Sequence, residues 1–201
     1  METRLIIVRH GETKWNKEKR AMGQTDIPLS REGIKQAEKV ALRLKNKKID
    51  LIVTSKLIRA IKTAEIINKY HNLKIEKYKD FNERVFGTFE GMLRKEIYKK
   101  YPKFYDKKEE DYYHMKFPKG ENLAELEKRA IKKLKEVLKK NKGKTILLVT
   151  HGGVKMVIMV NFFKKDINDI RKKYINPTSF TEILFRNSKP KLIRYNCTKH
   201  L

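Results

Sequence analysis

The sequence predicts an α/β fold: a three-layer α/β/α sandwich around a mostly parallel central sheet, with a small helical lid insertion. Three observations predict it. Short, continuous apolar runs (Leu5 to Val8, Leu51 to Val53, Thr145 to Thr150) read as strands covered on both faces. The segments that follow them place apolar residues at helical spacing, which gives the strand-helix-strand-helix order of an α/β domain. Two of the apolar runs end abruptly in a histidine and a glycine, Arg9-His10-Gly11 and Thr150-His151-Gly152-Gly153.

Each element has a local reason. Ser30 is placed to cap a helix whose apolar positions are Ile34, Ala37, Val40, Ala41 and Leu44. Leu51-Ile52-Val53 is a second strand, and from Ser55 a second helix carries Ile58, Ile61, Ala64 and Ile67 on one stripe. From about 86 to 120 tyrosines, glycines, Pro102 and Pro118 break the pattern, and only a charged helix around Lys95 to Tyr101 is predicted there. This stretch is read as the lid. Asn122 and Glu125 form a capping box for a helix to about Lys140, with Leu123, Leu126, Ala130, Leu134, Val137 and Leu138 inward. After the strand at Thr145 to Thr150 an apolar helix runs to about Phe163. Thr181 to Phe185 and Leu192 to Tyr195 are closing strands, a hairpin around Asn187-Ser188. The length of 201 residues fits a single domain, 1–201, with the lid at about 86–120.

Composition narrows the function classes. No apolar run is long enough for a signal segment or a membrane span, so no membrane partner is expected. The single cysteine, Cys197, cannot form an internal disulfide, and the simple reading is a reducing cytoplasm. Against 24 Asp and Glu stand 50 Lys and Arg, a net charge of +26, which concentrates phosphorylated or carboxylated ligands by long-range attraction. Much of it is lysine on helical faces, such as Lys132, Lys133, Lys135, Lys139 and Lys140, without interleaved aromatic platforms. A solvated coat accounts for it, and no obligatory nucleic-acid partner is expected. A monomer and a homodimer both fit.

In open α/β sheets ligands bind beyond the carboxyl ends of the strands, where glycine admits close backbone approach and helix N-termini attract anions. His10 and His151 both fall there. Arg9 adjoins the first, and Arg59 lies where the second strand passes into its helix; planar guanidiniums suit phosphate. Glu83 sits in an apolar, glycine-punctuated stretch, Phe81 to Gly91, with Glu90 either a substitute acid or a holder of the loop. No cluster of metal ligands is visible, and no cofactor is implied. His71, His114 and His200 stand in polar surroundings and read as surface residues, with His114 in reach of substrate through the lid.

The motifs Arg9-His10-Gly11-Glu12-Thr13, Asn16, Gly23 to Leu29, Ser55 to Glu65, Glu83 to Gly91 and Val149 to Gly153 resemble, in order, those of the histidine phosphatase superfamily, which includes cofactor-dependent phosphoglycerate mutase. The resemblance runs from Leu5 to about Phe185. It implies His10 as nucleophile and Glu83 as proton donor. Arg9, Arg59 and His151 would form the phosphate pocket, with Asn16, Gly23 and Gly152 as further substrate contacts. Neighbouring cations should keep His10 unprotonated.

Departures from the mutase pattern favour hydrolysis. Mutases carry Glu-Arg-His-Tyr-Gly at the acid and a longer insertion; here the acid motif is Glu83-Arg84-Val85-Phe86-Gly87 and the insertion is short. Asn176 to Thr181 resembles the phosphatase branch, which includes broad-specificity and α-ribazole phosphatases. Lys62 and Phe89 stand where that branch often has glutamine and tryptophan. The reading is a metal-independent phosphomonoesterase acting on a small anionic metabolite. The alternatives are a cofactor-dependent phosphoglycerate mutase and a non-catalytic phosphate-binding module. Of the aromatics Tyr98, Tyr101, Phe104, Tyr105, Tyr112, Tyr113 and Phe117, most are expected to pack the lid.

Overall fold

The computed structural model describes residues 1–102, 109–172 and 175–201, with the side chains of 109–111, 168, 171 and 172 excepted. Its strands are β1 (Glu2–Arg9), β2 (Leu51–Thr54), β3 (Ile75–Lys77), β4 (Thr145–Thr150), β5 (Phe180–Arg186) and β6 (Lys189–Cys197), in the spatial order β3-β2-β4-β1-β5-β6. The first four run parallel, and β5 is antiparallel to both β1 and β6. The β5–β6 turn is the predicted one: Asn187 and Ser188 both have positive φ, at 46° and 63°, as a two-residue hairpin requires.

Period-two alternation of apolar residues builds the layers. Leu5, Ile7, Val53, Ile146 and Leu148 face one core; Ile6, Val8, Ile52, Leu147 and Val149 face the other. Helices α2 (Arg31–Leu44) and α3 (Ile58–Asn68) close the second core, α6 (Leu123–Lys140) and α7 (Gly152–Phe163) the first. Caps are as the sequence predicts: Ser30 Oγ accepts from the Gly33 N–H at 3.0 Å, and Asn122 and Glu125 form a reciprocal box. Each such cap contributes about 1 kcal/mol. The α3 start differs from prediction. The Ser55 hydroxyl is engaged by the Leu57 N–H, and the helix begins at Ile58, whose N–H is taken by Asp26 Oδ1 at 2.8 Å.

Between 86 and 120 the chain forms more than the one predicted helix: a 3₁₀ turn (Gly87–Phe89), α4 (Arg94–Lys100) and α5 (Glu109–His114). This part has a small core of its own, with Ala21, Phe89, Ile97, Met115 and Phe117 buried and Tyr112 packed against them. Tyr98 and Tyr101 are exposed, Tyr113 packs on the main core, and Phe104 and Tyr105 lie outside the described residues. The short elements α1 (Lys14–Lys17), β3 and α8 (Ile167–Lys172) were not predicted, since three to six residues carry no readable period.

Topology locates the crevice. β1 and β4 are parallel neighbours, yet β1 leads to α2 on one face of the sheet and β4 to α7 on the other. The cleft opens at that divergence. Arg9 pairs with Thr150 in the last register of the two strands, so His10 and His151 each follow by one residue.

Candidate active site

Both imidazoles are buried at this strand end, His10 at 2% exposure and His151 at 0%. Their ring centroids are 5.1 Å apart. The His10 N–H is bonded to the Thr150 carbonyl at 2.9 Å, which locks the backbone of one pocket arm to the other. His10 Nδ1 lies 2.7 Å from the Gly11 carbonyl. A carbonyl only accepts, so Nδ1 carries the proton and Nε2 keeps its lone pair. Burial first, then the charges of Arg59 and Arg9, hold the His10 pKa well below the usual imidazole value. The ring is neutral at physiological pH.

His151 Nε2 meets Ser55 Oγ at 2.8 Å. Ser55 Oγ accepts from the Leu57 N–H at 3.3 Å and has its own proton to give; given to Nε2, that proton places the ring proton of His151 on Nδ1. That Nδ1 is buried with no partner among the described residues. The His151 pKa is likewise well below normal, chiefly from burial, then from Arg59, His10 and Arg9.

Two arginines line the same cleft. Arg59 is fully buried, with Nη2 on the Gly23 carbonyl at 2.7 Å and Nη1 on the Thr25 carbonyl at 2.9 Å; its Nε has no partner among the described residues. Burial lowers its pKa to about 10, which leaves it charged at neutrality. Arg9 donates from Nη1 to the Ile175 carbonyl. Asn16 turns Oδ1 to the N–H and hydroxyl of Thr13, both at 3.1 Å, so its Nδ2 faces away, and the residue lines the cleft with Gly23 and Gly152.

Glu83 is held at the start of α7, where Oε1 accepts from Arg84 N–H at 2.8 Å and Gly153 N–H at 3.1 Å. A Cβ at Gly153 would overlap that oxygen, which explains the glycine. Glu90 is a holder of the loop rather than an acid in the cleft. Its Oε1 accepts from the Gln24 and Phe86 N–H groups, and its Oε2 from the N–H and hydroxyl of Thr25. Gly23, at φ 55°, packs against the same carboxylate. The carbonyls of Gly23 and Thr25, which grip Arg59, are thereby fixed.

The geometry thus brings together Arg9, His10, Asn16, Gly23, Arg59, Glu83, His151 and Gly152, with histidine lone pair, cationic donors and carboxylate converging on one cleft. The histidine phosphatase superfamily (branch 1) family model matches residues 5–198. The chain belongs to that superfamily. Among its relatives, the uncharacterized phosphatase PhoE of Bacillus subtilis is 36% identical over 199 residues, covering 99% of this chain and 97% of the relative. YhfR of Bacillus stearothermophilus superposes with a TM-score of 0.90 at 28% identity, over 98% of both chains. A phosphoserine phosphatase mutant of Entamoeba histolytica, solved in complex with phosphoserine, superposes with a TM-score of 0.82 at 32% identity, over 99% of both chains.

Other histidines of this phosphatase-family chain lie elsewhere. His114 is exposed at the end of α5 and does not line the cleft; its ring stands against Tyr113. His71 and His200 are half-buried rather than superficial, the latter with its ring 5.9 Å from Phe180. Lys62 is an exposed partner of Glu65, and Phe89 is buried in the small core with Ile97 and Phe117, so neither lines the cleft. Among the described residues no group of three or more His, Cys, Asp or Glu could hold a metal ion. No helix of the described residues is long and apolar enough to cross a membrane.

Four groups escape the sequence reading. Ser55 orients His151. Arg129, on α6, donates to the carbonyls of Asp80, Asn82 and Glu83 and pairs with Glu121, fastening the segment that carries Glu83. Arg20 and Arg94 line the outer cleft, brought side by side by a β-bridge between Arg20 and Leu93. An arginine among lysines at position 129 is the only signal the sequence offered.

Proposed function

We propose that the chain is a phosphomonoester hydrolase that works through a phosphohistidine on His10. The observation that carries this reading is the Nδ1–H bond from His10 to the Gly11 carbonyl, which leaves Nε2 as a neutral nucleophile between two arginines. Nε2 attacks phosphorus in line; the N–P bond forms as the bond to the leaving oxygen breaks. Glu83 gives its proton to that oxygen and, as carboxylate, takes a proton from the water that then attacks phosphorus and restores His10. Arg9, Arg59 and the Nδ1–H of His151 hold the equatorial oxygens, and Asn16 adds a donor. Losing one such donor typically costs about 10²–10³ in rate. The cations do what a divalent metal does elsewhere, so no metal is required.

The substrate class is a small, acidic phosphometabolite. Arg94 has no side-chain partner among the described residues, and Arg20, although paired with Glu18, keeps Nη2 unengaged. These two suit a second anionic group on the leaving alcohol. The phosphoserine bound by the E. histolytica relative carries a carboxylate of that kind.

The test is hydrolysis of a chromogenic aryl phosphate with no metal added and chelator present. Activity is expected for the wild type and none for His10→Ala. Phosphate transfer between phosphoglycerates that needs a bisphosphoglycerate primer, with little phosphate release, would mark a mutase instead. No turnover, with phosphate still bound, would mark a binding module.

A further inference from the structure

Lys155 lies one turn into α7, with its N–H bonded to the His151 carbonyl at 3.1 Å and its side chain at 0% exposure. An ammonium buried without a counter-ion is costly, and the phosphoryl-transfer scheme makes no use of it. Its Nζ lies 3.1 Å from Ser179 Oγ, 3.2 Å from Asn196 Oδ1 and 3.5 Å from the Ser179 carbonyl. Among the described residues the ionisable groups facing it are Arg9 of β1 and Cys197 and Tyr195 of β6; none of these is a carboxylate.

Ser179 connects this ammonium to the anion pocket. Its hydroxyl donates to the Asn176 carbonyl at 2.7 Å, and its carbonyl accepts from the Arg9 N–H at 3.2 Å. Next to it, the Thr178 N–H donates to the carbonyls of Arg9 at 3.0 Å and His10 at 3.3 Å. The Ile175 carbonyl takes Arg9 Nη1. The turn 175–179 therefore holds Arg9 by backbone and guanidinium together. It also contains Thr178 at φ 53°, a left-handed conformation that needs support from its surroundings.

We propose that Lys155 is a positioning residue for Arg9: its buried ammonium ties the 175–179 turn to the helix that begins at His151, keeping guanidinium and imidazole in register around the phosphoryl group. The inference rests on the phosphatase reading above. Burial, then repulsion from Arg9, bring the Lys155 pKa down to about 7 against a smaller opposing pull from Cys197. Below that pH the group is an ammonium with three donors; above it, a neutral amine that grips the turn less firmly.

The experiment measures kcat/KM for an aryl phosphate against pH, together with melting temperature, in wild type, Lys155→Met and Asn196→Asp. In the wild type kcat/KM falls as pH rises through about 7. In Lys155→Met that fall disappears, and kcat/KM sits roughly tenfold below the wild-type value on the acid side, since small misplacements of a pocket group are costly. Its melting temperature is kept or raised, because a buried charge has been removed. Asn196→Asp gives Lys155 a carboxylate, which raises its pKa and moves the fall to higher pH; aspartate tolerates the positive φ of 46° at that position.

A wild-type pH profile and kcat/KM in Lys155→Met would overturn the proposal, as would a fall that stays in place in Asn196→Asp. If Lys155→Met does not fold, Asn196→Asp decides. A wild type with no aryl phosphatase activity would instead refute the phosphatase reading.

Discussion

His10 and His151 face each other at 5.1 Å with ring planes tilted by 56°, and each has one nitrogen committed to the protein: Nδ1 of His10 to a carbonyl, Nε2 of His151 to a hydroxyl. With the Ser55 proton on Nε2 of His151, the same ring type offers a lone pair on one side of the cleft and an N–H on the other. Two neutral imidazoles sustain this division; two imidazoliums would not.

That neutrality makes stability depend on pH. Both folded-state pKa values lie below the unfolded value of about 6.5, so below it the unfolded chain binds more protons than the folded one. The contribution of the two histidines is full above about 6.5 and declines as pH falls, by up to about 1.4 kcal/mol per pH unit for each. Urea denaturation at a series of acidic pH values checks this. His10→Asn/His151→Asn should flatten the decline, and an unaltered slope in that variant would count against it.

Ser55→Ala removes the hydroxyl that sets the His151 tautomer. The ring can then place its proton on Nε2, with a lone pair toward the phosphoryl oxygens. We expect roughly a 10²-fold loss of kcat, and titration of the ring by NMR should show the altered tautomer. Full activity in Ser55→Ala would mean that the ring needs no such guide.

Glu83 and Glu90 separate by leaving group. Glu83→Gln should slow hydrolysis of an alkyl phosphate, which needs a proton on departure, far more than that of a nitrophenyl phosphate, which needs little. Typical general-acid contributions are about 10²–10⁴. Glu90→Gln puts an amide among donors that want acceptors, and should lower the melting temperature and kcat for both substrates alike. Equal sensitivity of the two substrates to Glu83→Gln would remove it as the acid.

Gly153→Ala drives a methyl group into Glu83 Oε1 and close to Leu126, 3.1 Å from its Cδ2. The carboxylate must move, and a loss of about 10² in kcat is expected, with little loss of stability, since both atoms met are side-chain ends that can shift and alanine suits the helix better than glycine. Steady-state kinetics and thermal melting measure both. Wild-type kcat in that variant would show that Glu83 does its work elsewhere.

Arg20→Ala and Arg94→Ala test the substrate class. Each should reduce kcat/KM for phosphoserine by about tenfold, the value of one exposed charge-assisted hydrogen bond, and reduce that for phosphoethanolamine much less. Parallel losses on the two substrates would deny the pair a role in reading the second anion.

Much of this was legible before any coordinates. A buried strand must stop where glycine and a polar residue interrupt it, so Arg9-His10-Gly11 and His151-Gly152-Gly153 located the cleft by period and punctuation alone. The caps at Ser30 and Asn122 were equally local. What the chain order concealed depends on backbone groups contributed from afar. Arg59 is gripped by carbonyls 34 and 36 residues away, Glu83 is held by the N–H of Gly153, and Lys155 is received by Ser179 and Asn196. Every residue carries a carbonyl and nearly every one an N–H, so composition and spacing cannot say which of them will meet a given side chain. The sequence by itself determined the strand ends and the chemical types gathered there. Only the tertiary structure decided which nitrogen of each histidine is open, which glutamate faces the cleft and which buried cation stands behind it, because hydrogen-bond direction is settled by packing in three dimensions.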